Sequence, residues 1–173
     1  MNWFQRFYWT KLSKPAGERP LCEYLIKTPI GSVLQLGMGN GALTRKVLQM
    51  ARPAGADGVI RFAGVDAFES AEAVQQHMKL KDAHRMCAEL GVKAHLIPGE
   101  LKSALPRVAV TILPSDLLIV EQSGDESATQ NDTLMQWLPR LSHSGSAVFV
   151  RQGIRSKFER IYVPIPNQAR QAA

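Results

Sequence analysis

The sequence predicts an α/β fold: a doubly wound, mostly parallel sheet with helices on both faces. Three observations carry that expectation. Short apolar runs of strand length alternate with amphipathic stretches of helical period along most of the chain. The runs are apolar at consecutive positions, as in strands covered on both faces. Polar residues and glycines collect where the runs end, beginning with "SVLQLGMGNGALT" at residues 32–44. At 173 residues, 45% of them hydrophobic and 21% charged, the chain suits one domain with a substantial core.

The elements follow in order. In "WFQRFYWTKL" (3–12), Trp3, Phe4, Phe7, Tyr8 and Leu12 fall near i, i+4 spacing and predict a short amphipathic helix. Its apolar face could pack on the chain's own core or on a second copy, close over a pocket, or lie on a membrane surface. Pro15, Gly17 and Pro20 break the chain before a second helix over 21–27, which stops near Thr28 and Pro29. Residues 1–29 thus read as a helical N-terminal segment, and 30–173 as the main body of a single domain. The first strand is 33–36, between "PIGS" and the glycines. A helix over 42–51 puts Leu43, Val47 and Leu48 on one stripe and ends at Pro53 and Gly55. The second strand, "VIRFAGVD" (59–66), ends in Asp66, and one long helix is expected from 70 to 90, stopped by Gly91. "KAHLIP" is the third strand, "LKSALPRV" a short helix or turn, and "DLLIVE" (116–121) the fourth strand. "NDTLMQWLPRL" is a helix that places Trp137 at a core position, "SAVFVR" the fifth strand, and "RIYVPIP" a single further strand.

Composition removes several classes. No apolar run approaches the ~18 residues of a membrane span. The N-terminus lacks the apolar region and cleavage site of a signal peptide, and Cys22 and Cys87 form no CxxC pair. A cytoplasmic location is the expectation. Net charge is +6 and pI about 9.6, which favours anionic partners such as nucleotides, nucleic acid or acidic lipid heads. The densest basic cluster, Arg151, Arg155, Lys157 and Arg160, reads as a solvated face or as a phosphate or RNA contact. His77, His84 and Cys87 would share the long helix, but without HExxH or paired-cysteine spacing they read as packing or surface residues. No G-x-S-x-G elbow and no P-loop occurs.

In a sheet of this kind, ligands bind beyond the carboxyl ends of the strands. The strand ends carry Gly37, Gly39 and Gly41; Asp66; Gly99 and Glu100; Glu121, Ser123 and Asp125; and Arg151 with Gln152. The glycines let a ligand lie against the backbone, beside the unpaired N–H groups of the next helix. Asp66 could accept the two hydroxyls of a ribose, or cap the turn before "ESAEA". Glu100 could face an adenine amino group, or simply be a solvated loop acid. "GMGNGA" fits the dinucleotide pattern G-x-G-x-x-A, although Asp66 comes later than that pattern asks.

Across its length the chain resembles the class I S-adenosylmethionine-dependent methyltransferases. "LQLGMGNGALT" is similar to their first motif, and "GVDAFES" to the end of their second strand. "IPGELKSALP" is similar to the loop after the third strand, and "SDLLIVEQSGDE" with "MQWLPRLSHSGSAVFV" to the fourth strand through the fifth. The likeness covers residues 30–152 and is greatest to the small O-methyltransferase-like branch, with its "VD-x-FE" second strand and "DLIxIDGDH" fourth. It implies a Rossmann-like fold and S-adenosylmethionine as cofactor. The cofactor would be held by Gln35, Gly37, Gly39, Asn40, Gly41, Asp66, Ala67, Glu100 and Glu121. It also implies a small-molecule O- or N-acceptor, with Glu121 or Asp125 as base where one is needed.

The chain departs from the pattern in places. Gln35 stands where relatives carry an acid, so cofactor binding should be weaker and Gln35→Glu should tighten it. The fourth strand continues "VEQSGDE" without the histidine, and the fifth reads "VRQG" without an Asp-Asn pair. With Arg151 beside Glu121 and Asp125, no metal is expected. The short tail leaves an edge that a homodimer could cover. A binding or assembly module that keeps the fold but not the reaction is the alternative; an NAD(P)-binding oxidoreductase is the third reading.

Overall fold

The structure, a computed structural model of the chain, describes residues 16–68, 77–122, 132–153 and 156–164. The expected aromatic helix over 3–12, together with Ser123, Asp125 and Arg155, lies outside them. A 3₁₀ turn, Ala16–Glu18, leads into α1 (Arg19–Lys27), where Pro20 sits in the first turn and its missing N–H removes no helical bond. Then come β1 (Ser32–Leu36), α2 (Ala42–Met50), β2 (Arg61–Asp66), α3 (Leu80–Glu89) and β3 (Lys93–Pro98). They are followed by α4 (Leu101–Thr111), β4 (Leu117–Gln122), α5 (Asp132–Leu141), β5 (Ala147–Gln152) and β6 (Glu159–Ile161). No helix among the described residues is long and apolar enough to cross a membrane.

The strands form one sheet in the order β3-β2-β1-β4-β5-β6. β1 to β5 are parallel and β6 runs antiparallel to β5, with Phe149 opposite Arg160. The expected single strand in "RIYVPIP" is this β6, shorter and starting one residue earlier. Strand alternation divides the core. Val33, Phe62, Ile119 and Phe149 face Leu21 and Leu25 of α1, Val47 of α2 and Met86 of α3. Leu34, Leu36, Val65, Leu118 and Val150 face Leu105 and Val108 of α4 and Leu138 of α5. The two-sided apolar strands therefore mean two separate hydrophobic layers.

Two expectations are corrected. The helix read over 70–90 does not include His77, Met78 and Lys79: α3 starts at Leu80, and Lys79 is extended (φ −70°, ψ 145°). The Met78 N–H instead donates to Gly39 O at 2.7 Å. A tertiary hydrogen bond outweighs local helical propensity there, and His77 does not share a helix with His84 and Cys87. The basic cluster also loses a member, while Lys157 and Arg160 stay exposed. Arg151 is buried, with 4% of its surface exposed, and the Arg160 guanidinium lies over the Tyr24 ring, 5.4 Å from its centroid.

Candidate functional site

β1 ends at Leu36, and the chain turns through Gly37 (φ +85°), Gly39 (φ +52°) and Gly41 (φ +76°) into α2. All three occupy left-handed backbone that residues with a Cβ adopt at a cost. Two also have a steric reason. A Cβ on Gly37 would stand 2.5 Å from Glu121 O, so the loop lies directly on the end of β4. A Cβ on Gly41 would overlap Met78 Cε. The close approach that the glycines permit is thus used, in this structure, by the chain itself. Asn40 closes a local turn just before α2: its Oδ1 accepts from Ala42 N at 3.1 Å.

Asp66 ends β2 and organises this loop. Its Oδ2 accepts from Met38 N at 2.6 Å and Gly39 N at 2.7 Å. Its Oδ1 accepts from Phe68 N at 3.3 Å and lies 2.7 Å from His77 Nδ1. The side chain is only 4% exposed. Turn-forming and loop-clamping contacts thus occupy the carboxylate that could otherwise meet a ribose. Ala67 follows, half-buried. Glu100, at the end of β3, is exposed; its carbonyl accepts from Ala104 N at the start of α4.

Behind the loop lies a buried polar chain. Gln35, fully buried, donates from Nε2 to Gly37 O at 3.0 Å and to Glu121 Oε1 at 3.2 Å, and its Oε1 accepts from Thr44 Oγ1 at 2.9 Å. Glu121 Oε2 accepts from Arg151 Nε at 2.9 Å and from Arg151 Nη2. Arg151 Nη1 reaches Glu18 Oε1 at 3.5 Å, and Lys46 Nζ donates to Glu18 Oε2 at 2.6 Å. Positive and negative charges alternate along Lys46, Glu18, Arg151 and Glu121, so each buried charge has an opposite neighbour. Burial pushes the Glu121 carboxyl up from its ordinary range, against the opposing pull of the Arg151 guanidinium.

The structure thus brings Gln35, Gly37, Asp66 and Glu121 together. It puts Asn40 in the turn before α2 and leaves Glu100 in solvent. The partners that sequence reading missed are Glu18, Thr44, Lys46, His77 and Met78. No local pattern signals them: Glu18 and Arg151 lie 133 positions apart. At Glu121 the Arg151 guanidinium pairs with the carboxylate, and no group of three or more metal-ligating side chains occurs among the described residues.

The sheet order, the antiparallel last pair and the glycine loop after β1 define the Rossmann-like methyltransferase fold. Solved structures carry the same architecture. The O-methyltransferase TomG of Streptomyces achromogenes, solved with SAM, matches with a TM-score of 0.54 and 21% identity, over 82% of this chain and 56% of that one. The O-methyltransferase of Bacillus cereus, in complex with SAH, gives 0.55 and 15%, over 82% and 57%. The precorrin-6y C5,15-methyltransferase of Geobacter metallireducens gives 0.51 and 10%, over 81% and 63%. The chain therefore spans less than two thirds of each of these structures, and the likeness is one of fold. No protein-family profile and no curated protein matches it.

Proposed function

We propose that the chain binds S-adenosylmethionine across the Gly37–Gly41 loop and transfers a methyl group to a small-molecule oxygen or nitrogen acceptor. One observation carries this reading: a left-handed glycine loop at the carboxyl end of β1, clamped by the acid at the end of β2. The residues fit the cofactor once His77 and Met78 withdraw. Met78 is a flexible thioether over Gly41. His77 occupies Asp66 Oδ1, the oxygen that the loop N–H groups leave free. With both displaced, Gly37, Gly39 and Gly41 expose backbone, and Asp66 Oδ1 can accept from ribose while Oδ2 still holds the loop. Ala67 and Asn40 border that space, and Glu100 stands at the end of β3 toward the base.

When bound, the cofactor supplies a sulfonium methyl, and methyl transfer needs chiefly an aligned nucleophile. Gln35 fixes the loop through Gly37 O, and Glu121 sets negative charge beside it. Because Arg151 holds one Glu121 oxygen, Glu121 is a positioning group, and we assign proton removal, for acceptors that need it, to Asp125.

Calorimetric titration with S-adenosylhomocysteine, with NADH as control, tests the reading. The expected result is binding of the first alone, tightened about three- to tenfold by His77→Ala with Met78→Ala, because the open loop becomes the populated state. No binding by the wild type or the double variant ends the methyltransferase reading. The binding-module reading, which the Asp66 and Met78 contacts favour, would then stand. NADH binding would restore the oxidoreductase reading.

A further inference from the structure

Far from the glycine loop, at the amino edge of the sheet, the chain leaving α4 passes over the first residues of β1, β2 and β3. It encloses a half-open cavity of about 320 Å³, at the lower end of the ~300–1,000 Å³ that small-ligand sites occupy. Its apolar lining includes Ala63, Ala94, Ile112, Leu113 and Pro114. Leu113 sits there with 78% of its surface exposed.

The charged lining, Arg61 and Lys93, is of one sign. In the parallel register Arg61 lies opposite Lys93, and His95 lies opposite Ala63. Residues two apart share a face, so Arg61, Lys93 and His95 all stand on the side covered by α4. All three are exposed, and none makes an ion pair with the described residues. Like charges directly opposite across strands repel each other. Asp116 reaches this edge but is already engaged. Its Oδ2 accepts from Gly31 N (2.7 Å), Ser32 N (2.9 Å) and Ser32 Oγ (3.0 Å), and its Oδ1 lies 3.0 Å from His143 Nε2.

We infer that this cavity is a binding site for a small anionic amphiphile, a medium-chain carboxylate. The apolar floor would take the chain, and Arg61 with Lys93 would take the head. A carboxylate between the two cations converts their repulsion into two charge-assisted hydrogen bonds. Chain atoms against Ile112, Pro114 and Leu113 remove apolar surface from water. The site is independent of the methyltransferase reading, because it lies at the opposite edge of the sheet.

The test uses the full chain with octanoate as probe and octanol as uncharged control, followed by amide-resolved NMR titration. Octanoate is expected to shift resonances of 61–63, 93–95 and 111–115 at millimolar concentration, with octanol at least about tenfold weaker. Arg61→Gln with Lys93→Gln, and separately Leu113→Glu, change exposed side chains. Each should keep the melting temperature and weaken octanoate about tenfold. Equal binding of octanoate and octanol, octanoate binding unchanged by the charge variants, or no shifts up to about 10 mM would overturn the inference. So would a dimer, seen by sedimentation, that buries these residues and is not displaced by octanoate.

Discussion

Gln35 makes two donor contacts and one acceptor contact with no exposed surface, and that geometry reverses an expectation. A glutamate there would face Glu121 Oε1, now 3.2 Å from the Gln35 amide nitrogen, and would lose both donor contacts. Gln35→Glu should therefore destabilise the fold by roughly 2–4 kcal/mol and not tighten S-adenosylhomocysteine. Urea denaturation beside calorimetry checks both, and a tighter, equally stable variant would refute this account. Asp116 gives a second residue-scale prediction. Burial, the largest influence, raises its carboxyl; the bonds from Gly31, Ser32 and His143 together outweigh it and lower it. A depressed native pKa contributes stability above the unfolded pKa, and that stability is lost as pH falls through the native one. Asp116→Asn should be less stable than wild type at pH ~7, and the gap should close below pH ~3. Melting curves across that range read it out; a gap that stays constant would place the effect elsewhere.

At the scale of elements, four charges join the 3₁₀ turn before α1, α2, β4 and β5 through Glu18, Lys46, Glu121 and Arg151. Arg151→Met keeps the bulk over the Phe158 ring, where the guanidinium now lies 4.6 Å from the centroid. It leaves two carboxylates without their shared partner, at a cost of about 3–5 kcal/mol. Glu121, already raised, would then rise further. An acid raised in the native state favours folding as pH drops toward its native pKa, so the deficit of Arg151→Met should shrink between pH ~7 and pH ~5. Urea midpoints at the two pH values measure this. The same scale shows what periodicity could and could not reveal. The short apolar runs "VLQL" and "LLIV" predicted their burial correctly, because both faces of a parallel sheet are covered. The helical period across 70–90 failed at His77–Lys79. There Asp66 and Gly39 O, remote in sequence, offer partners that no local pattern encodes.

The whole molecule has two hydrophobic layers, and the layer packed by α1, α2 and α3 holds both described cysteines. Burial pushes the Cys22 and Cys87 thiols up to about 11, so roughly one in a thousand is thiolate at pH 8. Native protein should react with a disulfide reagent only through opening of that layer. Both thiols should label together at the global unfolding rate, and fast labelling of one alone would reveal a separately opening element. The net charge of +6 is likewise distributed by the fold: Arg151 is internal, whereas Arg61 and Lys93 line up at the amino edge.

The sequence by itself determined the strand–helix alternation, the parallel sheet, the place of the glycine loop and the acids at the strand ends. Each rests on local backbone geometry or on a period of two or 3.6 residues. The tertiary structure decided what those groups do. Asp66 clamps the loop, Met78 covers Gly41, Arg151 holds Glu121, and Arg61 meets Lys93 across two strands. Buried charge and close packing find their partners in space, and the chain topology alone brings residues so far apart in sequence into contact.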